Sequence, residues 1–180
     1  MENLTKAITG DKEAFVELYI EYRQEIFQFV LGRIGHREDA LDITGDVFLG
    51  AFAGIQSFRA DSSFRTWLYA ICKHKLNDYF AQKGIRQQEV IINDTDAGNQ
   101  EDSSINENVQ NYNGMNILES KIDLENILKQ LAPSEQEILL LHNINGMDFT
   151  ECGQILKIST GYARVFHFRA MEKARSIANS

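Results

Sequence analysis

Between Gln87 and Ile117 the chain carries six acidic residues and no basic one, in a run rich in Asn, Gln, Asp and Ser. Apart from Val90, Ile91 and Ile92, the stretch QQEVIINDTDAGNQEDSSINENVQNYNGMN offers too little apolar surface to offset the entropy of ordering it. It is predicted to be a flexible acidic linker, 87–117. That constraint governs the rest of the reading, because the 180-residue chain is thereby cut into two short modules, 1–86 and 118–180, each needing its own core.

The same stretch explains the charge. The net −8 is concentrated there: residues 1–86 hold 12 acids against 11 bases, and 118–180 hold eight against seven. Each module is polarised again. Residues 11–46 have a net −5, whereas 59–86 and 157–180 are each +4. Screening confines a surface field to about 8–10 Å, so two basic patches on an acidic chain can bind phosphate locally. On charge alone they are equally well two solvated helix faces. No run approaches the roughly 18 apolar residues of a membrane span, and MENLTKAITGDKEAF lacks the basic start and apolar core of a signal peptide. Cys72 and Cys152 lie too far apart to form the disulfide framework of a small secreted fold. The expectation is a cytoplasmic protein that enters no membrane directly.

In the first module, Phe15, Leu18, Tyr19, Tyr22, Ile26, Phe27, Val30 and Ile34 recur at three- and four-residue steps and predict a helix over 11–34 capped by Asp11. A second helix, 36–52, turns Ala40, Val47, Phe48, Ala51 and Phe52 inward and sets Asp39, Asp42 and Asp46 along one outward stripe. A basic partner would relieve the repulsion within that stripe, and spacing alone fits a solvated acidic face at least as well. A third helix, 62–83, starts at a serine cap. The preceding SFRADSSFRTW alternates aromatics with arginines, which suits stacking on exposed bases beside phosphate-holding cations and equally suits ordinary core packing.

In the second module, LESKIDLENILKQL predicts a helix ended by Ala132-Pro133. Ser134 with Glu137 reads as a capping box for a helix running to Gly146, and Asp148 with Glu151 as another for 148–156. A short turn, Lys157-Ile158-Ser159, leads to a last, basic helix. Two short helices joined by a tight turn, the second one basic, describe a helix-turn-helix. Thr160, Tyr162, Arg164, His167, Arg169 and Lys173 are its candidate DNA contacts, with Arg164 suited to bidentate pairing with guanine. The predicted architecture is all-α: two small helical domains on a flexible acidic tether, the C-terminal one containing the helix-turn-helix.

The runs AFVELYIEYRQEIFQFV, DALDITGDVFLGAF, FRTWLYAICKHKLNDY and LAPSEQEILLLHNINGMDFTECGQIL, in that order and spacing, resemble a bacterial sigma factor of the extracytoplasmic-function group of the sigma-70 family, which retains only domains 2 and 4. The resemblance implies a transcription initiation factor whose partners are core RNA polymerase, promoter DNA and an anti-sigma factor. It implies polymerase docking through Asp39, Asp42, Asp46, Val47 and Phe48, reading of the downstream promoter element by Arg59, Arg65, Trp67, His74 and Lys75, and of the upstream element by the last helix. The chain departs from the family pattern at Leu41, where an acid is common, at Gly45, where glutamine is, and at Lys157, where glycine is customary. The remaining alternative is a sigma-like DNA-binding regulator or decoy that sequesters polymerase or an anti-sigma factor without initiating.

Nothing in the sequence suggests an enzyme. There is no glycine-rich phosphate loop and no His-Glu-x-x-His, and Cys72-Lys73-His74 has no second ligand pair for zinc. No metal, cofactor or small-molecule substrate is expected. Two promoter elements about two helical turns apart are separated by roughly 70 Å, whereas a free 31-residue coil spans about 30 Å root-mean-square. Fully extended it could reach about 100 Å, so the linker bridges the gap only if something stretches it, as a basic polymerase channel holding its carboxylates would; a passive spacer is the alternative. Deleting half of it should abolish initiation in a transcription assay while each module still binds its own site; unimpaired initiation would refute the stretched-tether idea.

Overall fold

The structure is a computed structural model that describes residues 2–84 and 121–180, the side chains of the second stretch from Leu124 onward. The expected linker lies outside the described residues. The chain divides into two compact units, Met1–Gln87 and Gln88–Ser180, and every described element is helical.

Unit 1 is built from α1 (Glu2–Ile8), α2 (Lys12–Ile34), α3 (Arg37–Gly54), a 3-10 turn (Ile55–Ser57) and α4 (Phe64–Gln82). Asp11 caps α2 by accepting from the Glu13 and Ala14 amides, and Ser63 caps α4 through the Thr66 amide. Each cap satisfies amides that a first helical turn leaves without partners. The α2 stripe places Ile26, Phe29 and Val30 against Leu68, Tyr69, Cys72 and Leu76 of α4 and Ala40, Val47 and Ala51 of α3, all essentially inaccessible to water. Phe29 and Tyr69 meet edge to face, 5.1 Å between centroids. Full burial of side chains this size stabilises the unit by about 1.5–3 kcal/mol each.

One acidic residue fastens this core from its edge. Glu25 of α2 accepts from the Arg65 Nε–H at 2.6 Å and from the Tyr69 hydroxyl at 2.9 Å. Burial, with this carboxylate second, drives the Tyr69 phenol far above its ordinary pKa, so it stays a proton donor.

Unit 2 comprises α5 (Lys121–Gln130), α6 (Pro133–Leu139), a π-helical turn (Leu140–Ile144), α7 (Phe149–Leu156) and α8 (Thr160–Ala178). Ile138, Leu141, Met147, Cys152, Ala163 and Ala170 form its centre. Asp148 and Glu151 make the expected capping box, and Ser159 caps α8. The box expected of Ser134 and Glu137 is not there. Pro133 occupies the first helical position, where its missing N–H costs nothing, and Glu135 reaches back to the Ala132 amide at 2.7 Å. Ser134 thus lies inside the first turn, buried.

The helix-turn-helix closes through two unusual positions. Lys157 ends α7 in the left-handed region, φ 59°, and Gly153 lies against the turn so closely that a Cβ there would stand 2.8 Å from the Ile158 carbonyl oxygen. At Gly45, exposed in α3, a Cβ would meet nothing within 4 Å. The two glycines therefore predict opposite outcomes: Gly153→Ala should destabilise unit 2 by about 1–3 kcal/mol, and Gly45→Ala should stabilise unit 1 by about 0.5–1 kcal/mol, both read from denaturant midpoints.

Candidate macromolecular interfaces

Core packing determines which large apolar side chains remain outside. Seven do so among the described residues, and six belong to α2 and α3: Val16, Tyr19, Ile20, Leu41, Leu49 and Phe52. Two ring contacts bind the helices beneath them, Tyr19 with Phe48 at 4.9 Å and Phe15 with Phe52 at 5.1 Å. Exposed Glu13 and Glu17 on α2, and Asp42 and Asp46 on α3, edge this surface. An apolar strip rimmed by carboxylates suits a helix whose apolar stripe is flanked by Lys or Arg.

The residues expected to dock a partner divide accordingly. Val47 and Phe48 are buried, at 0% and 5% exposure. They are part of the core and support the surface from beneath. Asp42 and Asp46 are exposed. Asp39 is engaged within the unit. It accepts from the Tyr79 hydroxyl and lies 3.7 Å from Lys83 and 3.5 Å from His36, and the Tyr79 bond lowers its pKa while raising that of Tyr79 to about 12. The three aspartates also line a cleft of about 240 Å³ between α3 and α4 with Lys75, Asp78 and Tyr79. Lys75, expected among the DNA contacts, thus faces carboxylates.

The other unit 1 candidates are equally divided. Arg59 is exposed beside Ala60, whose φ of 58° is unusual for a residue with a side chain. His74 is exposed, 3.6 Å from Asp78. Arg65, expected among the DNA contacts, is paired with Glu25 at 2.6 Å. Trp67 is half-buried, its rings near Phe58 and Phe64 at 5.2 and 5.7 Å and its six-membered edge 3.3 Å from where a Gly54 Cβ would stand. Only part of the indole can meet a base.

On α8 the candidates lie on different faces. Arg164 and Arg169 are exposed. Thr160 is half-buried in the first turn, and Tyr162 is half-buried and stacked on Phe166, 6.0 Å apart at 8°. Lys173 is paired with Glu135 at 2.7 Å. His167 turns inward, its Nε2 2.8 Å from Asn143 Oδ1 and its ring 4.7 Å from His142, which itself stacks on Phe149. The π-helical turn brings His142 and Asn143 to this position, a local geometry that no periodicity in the sequence announces. Of the α8 candidates, Arg164, Arg169 and Lys173 are the exposed cations, Lys173 in an ion pair.

The exposed apolar strip was the main omission from the sequence reading. The signal available was Val16 and Ile20, four apart among Glu13, Glu17 and Glu21 and outside the core period. Among the described residues no group of three or more His, Cys, Asp or Glu is placed so that it could hold a metal ion, and no described helix is long and apolar enough to cross a membrane.

Residues 18–85 match the family model for sigma-70 region 2, and residues 121–173 that for sigma-70 region 4. The chain is 24% identical over 172 residues to the ECF RNA polymerase sigma factor BldN of Streptomyces coelicolor, covering 95% of this chain and 62% of that relative. It is 28% identical over 145 residues to the RNA polymerase sigma factor YlaC of Bacillus subtilis, covering 81% and 80%, and 26% identical over 164 residues to the ECF RNA polymerase sigma-E factor of Escherichia coli K12, covering 91% and 85%. Among solved structures, CnrH in complex with the cytosolic domain of CnrY shares the fold with a TM-score of 0.71 and 20% identity, covering 98% and 95% of the two chains. The Bartonella quintana sigma factor RpoE in complex with the anti-sigma factor NepR gives 0.66 and 17%, covering 92% and 96%.

The inward histidine has a consequence for acid stability. Burial first, and His142 second, push the His167 pKa down from 6.5 to about 4. The unfolded ring takes up its proton near pH 6.5 while the folded ring does not, so the stabilisation is complete above 6.5 and is lost as pH falls towards 4. The unfolding midpoint of unit 2 should drop between pH 7 and pH 5, and His167→Gln should flatten that dependence; an equal drop in the variant would place the acid-sensitive group elsewhere.

Proposed function

The chain belongs to the sigma-70 family, in its extracytoplasmic-function group, and from that premise we propose that it is a transcription initiation factor that binds core RNA polymerase and directs it to promoter DNA. The single observation that carries this reading is the division of the exposed surface. Unit 1 offers an apolar strip with acidic edges on α2 and α3, while unit 2 offers an outward α8 face with Arg164 and Arg169. The first suits a basic, apolar helix of polymerase; the second suits duplex phosphates and base edges.

In this reading residues 1–86 form domain 2, 87–117 the linker and 118–180 domain 4. Polymerase docks on Leu41, Asp42, Asp46, Leu49 and Phe52, with Val16 and Ile20 extending the strip. Arg59, His74 and the open part of Trp67 face the unpaired strand, and Arg164 and Arg169 the duplex. The protein acts in the cytoplasm, where polymerase and promoters are. An anti-sigma factor that covered the apolar strip would exclude polymerase from it; one of the solved structures of similar fold is a sigma factor in complex with an anti-sigma factor.

Run-off transcription with core polymerase tests the proposal, with promoter-dependent transcripts as the expected result. Core binding without transcripts would instead identify a decoy, and DNA binding without core a regulator. Leu49 is 69% exposed, so Leu49→Glu should leave the unfolding midpoint unchanged while weakening core binding at least about tenfold (about 1.4 kcal/mol); undiminished affinity would remove the strip from the interface.

A further inference from the structure

The seventh exposed apolar side chain is Phe168, 38% accessible, on α8. Buried Ala163, Phe166, Ala170 and Ala174 define the inner side of this helix. At about 100° per residue, Phe168 then lies near the middle of the opposite side, with Arg164 about 40° to one side and Arg169 about 100° to the other. Gly161 lies on the same line two turns earlier, where a Cβ would meet nothing within 4 Å. The DNA-facing side of the helix is thus apolar at its centre and cationic at its margins.

Phe166 offers the contrast within the same helix, being 7% exposed and stacked on Tyr162. Among the described residues no aromatic ring stacks on Phe168. Its exposed part faces away from the core, on the side that carries Arg164. In the major groove one base edge presents an apolar group, the 5-methyl of thymine; the other edges present donors and acceptors.

We propose that Phe168 is a specificity-determining residue that selects thymine in the upstream promoter element by contact with its 5-methyl group. The inference rests on the promoter-binding reading of α8 and names what that site selects. Arg164 reads a neighbouring base pair or phosphate, and Arg169 a phosphate. The two kinds of contact are separable: the arginine contribution weakens with salt, whereas the methyl contact does not.

The test uses the full chain assembled with core polymerase. Duplexes with a randomised upstream element are selected by the wild type, Phe168→Ala and Arg164→Ala, and each thymine of the selected element is then replaced by deoxyuridine, which removes the methyl group alone. The expected result is one thymine that the wild type and Arg164→Ala select and Phe168→Ala does not. Deoxyuridine there should weaken wild-type binding about fourfold, as expected for losing burial of one methyl-sized group, and leave Phe168→Ala unaffected. An element selected with the same thymines by both Phe168 forms, or indifferent to deoxyuridine, overturns the assignment while leaving promoter binding intact. A Phe168→Ala defect in core assembly in place of base selection overturns it by making Phe168 a protein contact. Selection of no element by the wild type overturns the promoter reading itself, and this inference with it.

Discussion

Three helices of unit 1 meet around Phe29, Leu68 and Tyr69, all inaccessible to water, and this meeting determines which other side chains can be interior. An α2 that gives Ile26, Phe29 and Val30 to the core must turn Val16, Ile20 and Glu17 elsewhere, because helical periodicity allows one inner stripe. The same holds for α3, where burial of Ala40, Val47 and Ala51 sends Leu49 and Asp46 outward. The bonds from Arg65 and Tyr69 to Glu25 hold α4 to α2 in this arrangement. The partner-facing surface is what remains after the core has been filled.

The consequence is a surface in which apolar area and charge are sorted by place. Carboxylates line the outer side of α3, and three of them share a cleft with Lys75. Arg65 and Lys173 are each paired with a glutamate on another helix. Fewer cations are free than the sequence contains.

Much of the architecture was legible in the sequence because it is governed by local rules. The caps at Asp11, Ser63, Asp148 and Ser159 stand where short polar side chains precede amphipathic periods, and those periods announced α2, α3, α4 and α8. What escaped was set by tertiary contact. Phe52 reads as an inward residue from spacing yet is 46% exposed, its ring meeting that of Phe15 in a T-shaped contact. His167 reads as a DNA contact from its place in a basic helix, yet Asn143 on the π-helical turn takes its Nε2. Ser134 reads as a cap, but the proline before it had already begun the helix. Of the residues proposed to face polymerase, periodicity named the aspartates and not the apolar strip beside them, since an exposed leucine and a buried one look alike until the neighbouring helix is in place.

The account stands on the apolar strip of α2 and α3 being the surface that polymerase covers. Hydroxyl-radical footprinting of the full chain, alone and bound to core polymerase without DNA, measures that cover side chain by side chain. Oxidation of Val16, Ile20, Leu49 and Phe52 should fall several-fold in the complex while that of Phe168 is unchanged. A complex in which those four remain as reactive as in the free chain would contradict it.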